Sequence, residues 1–212
     1  MPAMTTVLRR RINLALKTTA FGLVALAVGL LAWVGTSQYF GRSPVGGGEG
    51  TANVGGPFTA IDHTGRAVSE KDFLGRYMLV FFGYTSCPDV CPGELQIIAA
   101  ALDLLGAKAV KVRPVFFTID PARDTPEVLA KYVANFHATL VGLTGTDAQM
   151  AAVAKAYYVY FSRSEDIAPP GDYLMDHSSL LFLMDGEGRY VRHFNYGTPP
   201  EEIATALEKI IQ

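Results

Sequence analysis

Charge-free apolar stretches alternate with shorter periodic segments along the chain. Thr18 to Phe40 contains no charged side chain. As a helix rising about 1.5 Å per residue, it reaches roughly 34 Å, enough to cross a hydrocarbon core of about 30 Å. Arg9, Arg10, Arg11 and Lys17 precede it, and Arg42 is the only basic residue just beyond it. The positive-inside rule therefore predicts a cytoplasmic basic tail over 1–17, a transmembrane anchor over 18–40, and the rest of the chain across the membrane. Trp33, Tyr39 and Phe40 stand where an aromatic belt is expected. A cleaved signal peptide is the competing reading, but its apolar region is normally about 7–15 residues. Either route carries the domain out of the cytoplasm. Residues 41–56 are glycine-rich without apolar periodicity and read as a flexible linker.

From Pro57 to Gln212 the pattern alternates between strands and helices. Phe58–Ile61 and Arg66–Val68 flank the turn sequence Asp62-His63-Thr64-Gly65 and predict a small hairpin. Tyr77–Gly83 and Val112–Ile119 are continuous apolar runs, as expected for strands covered on both faces. Between them, Leu95, Ile98, Leu102 and Leu105 keep helical spacing. Thr125-Pro126-Glu127 caps a helix to about His137. A short strand over Leu140–Leu143, a helix over Asp147–Tyr157 and a strand over Tyr158–Phe161 follow. Ser179–Met184 and Tyr190–Phe194 then flank a hairpin turn, and a helix from Pro199/Pro200 closes the chain. Strand, cysteine-bearing turn, helix, strand, then a late hairpin and helix is the order of a thioredoxin-like α/β sandwich.

Composition narrows the chemistry. The chain has 212 residues, 18% of them charged, and a formal net charge of −2. That suits one globular domain with a single apolar appendage and gives no general attraction to nucleic acid. Two cysteines allow at most one disulfide, which excludes a disulfide-framework scaffold.

Both cysteines lie in Cys87-Pro88-Asp89-Val90-Cys91-Pro92, between the most apolar strand and the first long helix. Pro92 is expected to open the helix, which puts both thiols at its N-terminus, where amides and the dipole favour thiolate. A disulfide across so short a loop would restrict the unfolded chain little, so a reactive or metal-binding pair is the better account. The three-residue spacer departs from the two-residue spacing of thioredoxin redox motifs. Of four histidines, His63, His137 and His193 read as surface or packing residues. His177, just before the strand Leu180–Met184, sits at the junction that faces the cysteine turn in such folds. Two thiolates and an imidazole suit Cu(I) and can accommodate Cu(II), with zinc as the rival. Met175 reads as packing with soft-donor capacity nearby, and Asp89 and Asp176 as outer-shell groups or solvated turn residues.

Three segments in order, Gly83–Pro92, Ile119–Thr125 and Tyr173–Ser178, closely resemble the Sco/SenC family of membrane-tethered copper proteins that assemble cytochrome c oxidase. The resemblance implies one copper held by Cys87, Cys91 and His177. It implies delivery to the binuclear copper site of oxidase subunit II, with other copper chaperones or thiol reductants as further partners. It also implies an inner-membrane, single-pass protein with its C-terminal domain in the periplasm; the short segment before the anchor points to a bacterial rather than a mitochondrial source. The same cysteines, as a redox-active pair, could instead keep that partner's cysteines reduced. Both readings stand at this point.

Overall fold

The computed structural model describes residues 53–164 and 172–211. The expected basic tail, the anchor over 18–40 and the linker up to residue 52 lie outside the described residues.

β1 (Thr59–Asp62) and β2 (Ala67–Ser69) form the expected N-terminal hairpin. A single 3-10 turn (Glu70–Phe73) leads into β3 (Tyr77–Gly83), which is buried from Met78 onward. α1 (Val90–Leu105) follows, and a second 3-10 segment (Gly106–Lys111) returns the chain to β4 (Val112–Thr118). Then come α2 (Pro126–Val133), β5 (Val141–Thr144), α3 (Asp147–Ala156), β6 (Phe161–Ser164), β7 (Leu174–His177), β8 (Leu180–Met184), β9 (Tyr190–Asn195) and α4 (Pro200–Ile210).

The main sheet runs β2-β1-β5-β4-β3-β8-β9. Its centre, β5-β4-β3, is parallel, and antiparallel strands extend both edges. α1 and α4 pack on each other, and α2 lies on β5. Phe81, Phe82, Phe116, Phe117 and Leu143 are buried between the layers. Each of these large side chains contributes about 1.5–3 kcal/mol by leaving water. The result is the thioredoxin-like α/β arrangement. Among the described residues, the stretch Val90–Lys111 is long and apolar enough to span a membrane, but its buried residues face this core.

Several boundaries differ from the sequence reading by a residue or so, and some by more, for local reasons. α1 starts at Val90, so Cys91 and Pro92 lie inside its first turn, where a missing N–H costs nothing. α2 stops at Val133, because the Asn135 side-chain amide takes up the carbonyls of Lys131 and Tyr132. The strand expected over Tyr158–Phe161 begins only at Phe161: Tyr158 has φ 56° and ends α3 as a left-handed cap, with Val159 N–H donating to Ala154 O. Instead, β6 and β7 pair as a separate two-stranded arm that the pattern did not reveal. The end of the glycine-rich linker is also docked. Gly55 N–H donates to Ala156 O at 2.9 Å, and Val54 packs against the core.

Candidate metal centre

Gly83 ends β3 beside the cysteine turn, and its lack of a side chain is what lets that turn close. A Cβ there would stand 2.7 Å from Cys91 Sγ and 2.9 Å from the Phe116 ring. Cys91 is therefore wholly buried against the sheet, while Cys87, on the turn, is half-buried. The two thiols are unbridged.

The helix start shapes the chemistry of Cys87. Cys91 N–H donates to Cys87 Sγ at 3.4 Å, and the Asp89 amide also bonds to it. The Cys91 thiol hydrogen bond is the largest influence holding Cys87 down to about 3, aided against burial by His177 and these amides. Cys91 is pushed far up, first by its bond to Cys87, then by burial and the neighbouring negative charge. One proton is thus shared by the pair and stays on the buried sulfur.

His177 closes the group from the end of β7. Its Nε2 lies 3.5 Å from Cys91 Sγ, and it also bonds to Cys87. Its Nδ1–H donates to Ser178 O at 3.1 Å, which orients the ring so that Nε2 faces the sulfurs. The rings of Phe81 and Tyr84 meet the imidazole edge-on, each with centroids 6.2 Å away. Among the described residues no three His, Cys, Asp or Glu side chains stand gathered as a finished metal cage. The Cys87–Cys91–His177 set is an open one. Its donor set still fits a soft ion: metal–sulfur and metal–nitrogen bonds of about 2.3 and 2.0 Å set two ligands of one ion roughly 3–4 Å apart. To accept a metal, Cys91 must give up its proton.

The structure separates these three residues from the other candidates. Asp89 and Asp176 are exposed, and Met175 is half-buried against the core. His63 bonds to Gly142, His137 sits beyond α2, and His193 lies on β9 beside Tyr190.

The sequence reading missed what braces the site. Asp124 accepts from Thr85 N–H at 3.0 Å, Thr85 Oγ1 at 2.6 Å and Thr118 Oγ1 at 2.6 Å, which ties the cysteine turn to the end of β4. Arg123 pairs with Asp120 and donates to Asp172 and to Tyr173 O. Tyr173 Oη donates to Asp120, and its ring lies between the guanidiniums of Arg123 and Arg163 at 3.7 and 3.8 Å. The segment Ile119–Thr125 thus holds the Cys87 turn with one residue and the His177 arm with its neighbours. Exposed tyrosines flank the mouth. Tyr160 exchanges hydrogen bonds with Ser178, and Tyr196 Oη stands over Gly93.

Residues 46–212 match the SCO1/SenC family model. The chain is 43% identical over 168 residues to the mitochondrial protein SCO1 of Saccharomyces cerevisiae, covering 78% of this chain and 55% of that protein. It spans about half to three-fifths of the length of the yeast relatives it matches. Among solved structures, ScoI of Arabidopsis thaliana with copper bound has TM-score 0.70 at 38% identity, covering 74% of this chain and 96% of that one. ScoI of Bradyrhizobium japonicum with copper bound has TM-score 0.68 at 44% identity, covering 74% and 98%.

Proposed function

As the chain belongs to the SCO1/SenC family, we propose that it is a copper carrier holding one ion through Cys87, Cys91 and His177. The observation that supports this most is the 3.5 Å approach of a hydrogen-bond-oriented imidazole nitrogen to a buried sulfur. Two thiolates and an imidazole form a low-coordination soft set suited to Cu(I). Relatives of similar fold were solved with copper bound. The cargo passes to the binuclear copper site of cytochrome c oxidase subunit II. An anchor over 18–40 and a linker after it hold the domain (57–212) on the periplasmic face of the inner membrane, where it meets a partner in the same bilayer. The half-exposed Cys87 is the side from which a receiving ligand can approach.

Metal analysis of the reduced full chain tests this reading. Wild type should retain about one Cu(I) per chain, as one such site allows. His177→Ala should lose most of it while its thermal unfolding stays near that of wild type. Equal copper retention by the variant would overturn the assignment.

The depressed Cys87 thiol beside a protonated Cys91 favours a second reading, reduction of a partner disulfide. Cys87 thiolate attacks one partner sulfur and expels the other as thiolate. Cys91, after losing its proton, attacks Cys87 and releases the second partner thiolate. The partner gains two electrons, the chain is left with a Cys87–Cys91 disulfide, and an external thiol must reset it. Cys91→Ser should trap the mixed disulfide; failure to trap one with an oxidised subunit II fragment counts against this activity.

A further inference from the structure

At the pole opposite the thiols, where β3, β4 and β5 begin, the β1–β2 turn, Arg76 and the segment entering β5 enclose a cavity of about 340 Å³. The seven residues of β3, at about 3.3 Å each, put it roughly 20 Å from the cysteine turn. Three arginines line it, Arg66, Arg76 and Arg113.

Two carboxylates share the wall, and both are already engaged. Asp62 Oδ2 holds Arg66 Nε and Nη2 at 3.0 and 2.8 Å, and its Oδ1 accepts the amides of Thr64 and Arg66. Asp72 turns onto Ser69, accepting its N–H at 2.7 Å. Arg66 is thereby neutralised. Arg76 and Arg113 have no such partner: among the described residues neither guanidinium has a hydrogen bond or an ion pair. His63 completes the ring of donors. Its Nδ1 accepts Gly142 N–H at 3.1 Å, so the neutral ring carries its proton on Nε2.

Arg113 is half-buried on a central strand. Burial first, then the like charges of Arg76 and Arg66, disfavour its charged form. Arg113 thus stands beside like charges with no acid hydrogen-bonded to it, and an anion bound there would offset that repulsion. A planar guanidinium fork matches the spacing of oxygens on a carboxylate or phosphate. With Asp62 and Asp72 counted against the three arginines, the lining carries one net positive charge. The two guanidinium forks without a hydrogen-bonded acid offer more N–H donors than one small carboxylate needs, which favours an anion with several equivalent oxygens, such as phosphate.

We infer that this cavity binds a phosphate-type oxyanion between Arg76 and Arg113, independently of whatever the cysteines hold. Free phosphate and the phosphodiester of a lipid headgroup share this chemistry.

The full chain in uncharged detergent micelles, metal-free and at fixed ionic strength, tests the inference by thermal unfolding. One arm titrates inorganic phosphate; the other dopes the micelles with phosphatidylglycerol, with phosphatidylcholine, whose phosphodiester is neutralised by its own choline, as the net-charge control. Saturable stabilisation by inorganic phosphate identifies a soluble anion, and stabilisation by phosphatidylglycerol alone identifies a lipid headgroup. In either case Arg113→Gln should weaken the response roughly tenfold, the order of one charge-assisted pair. Without anion its midpoint should equal or exceed that of wild type, because a repulsion has been removed. Arg113→Lys, which keeps the charge but loses the fork, should fall between. Arg76→Gln, at an exposed position, should keep the wild-type midpoint without anion and weaken binding likewise. No saturable response in either arm, or an unchanged response in Arg76→Gln, overturns the inference.

Discussion

Asp124 and Thr85 are joined by two hydrogen bonds, from the threonine amide at 3.0 Å and its hydroxyl at 2.6 Å, across 39 positions of sequence. The carboxylate is fully buried and also takes the Thr118 hydroxyl. Three donors from two elements thus depend on one side chain. Asp124→Ala would orphan them, at a cost of about 1–3 kcal/mol for a buried unsatisfied group. We expect a lower unfolding midpoint together with weaker copper retention, because the turn carrying Cys87 loses its tie to β4. Unchanged retention in a folded variant would show that the brace is structural only.

Gly83→Ala should be as damaging for the opposite reason. The added methyl meets Cys91 Sγ at 2.7 Å and a Phe116 ring carbon at 2.9 Å, with the sheet behind both. Overpacking of this kind typically costs about 1–3 kcal/mol. Denaturant unfolding measures the loss, and faster alkylation of Cys91 would report its expulsion from the core.

The two thiols should differ sharply towards iodoacetamide in the metal-free, reduced chain. With Cys87 held down to about 3, it is already thiolate at mildly acid pH, so its alkylation rate stays flat from about pH 5 to 8. An ordinary thiol, near 8.5, slows about tenfold per pH unit over that range. Cys91 should resist labelling throughout. Cys91→Ala removes the largest influence on Cys87, so its rate should regain an ordinary pH dependence. Mass spectrometry of each cysteine peptide gives the profile.

Asp62 sets part of the acid limit of stability. Burial raises its carboxyl, but the hydrogen bonds from Thr64 and Arg66 outweigh this and bring it to about 2, from an unfolded value of 3.8. A depressed native value means its contribution is present above about pH 4 and is lost as pH falls towards 2. For a side chain this buried the contribution is on the order of 1–2 kcal/mol. Asp62→Asn should therefore be less stable than wild type at neutral pH, with the two curves converging near pH 2. Parallel curves across that range would assign the shift elsewhere.

The chain's own order of residues determined the layered α/β architecture, because buried strands and capped helices announce themselves through local periodicity and turn chemistry. Tyr77–Gly83, the Thr125 cap and the late hairpin were legible for that reason. The cysteine turn and His177 could be named as one group because the strand order of such folds brings those two loops together. What the sequence could not supply was long-range. Nothing in the pattern Phe161–Ser164 marks it as the antiparallel partner of Leu174–His177, and the stacking of Arg123 and Arg163 on Tyr173 beside that pair likewise joins separate segments. Nor does any local signal show that Asp124 reaches Thr85, or that Arg76 and Arg113 line one cavity. Hydrogen-bond partners and charge neighbours are fixed only when distant segments pack. The brace of the site, the orientation of the His177 ring and the proton asymmetry of the two thiols were therefore decided by the tertiary structure.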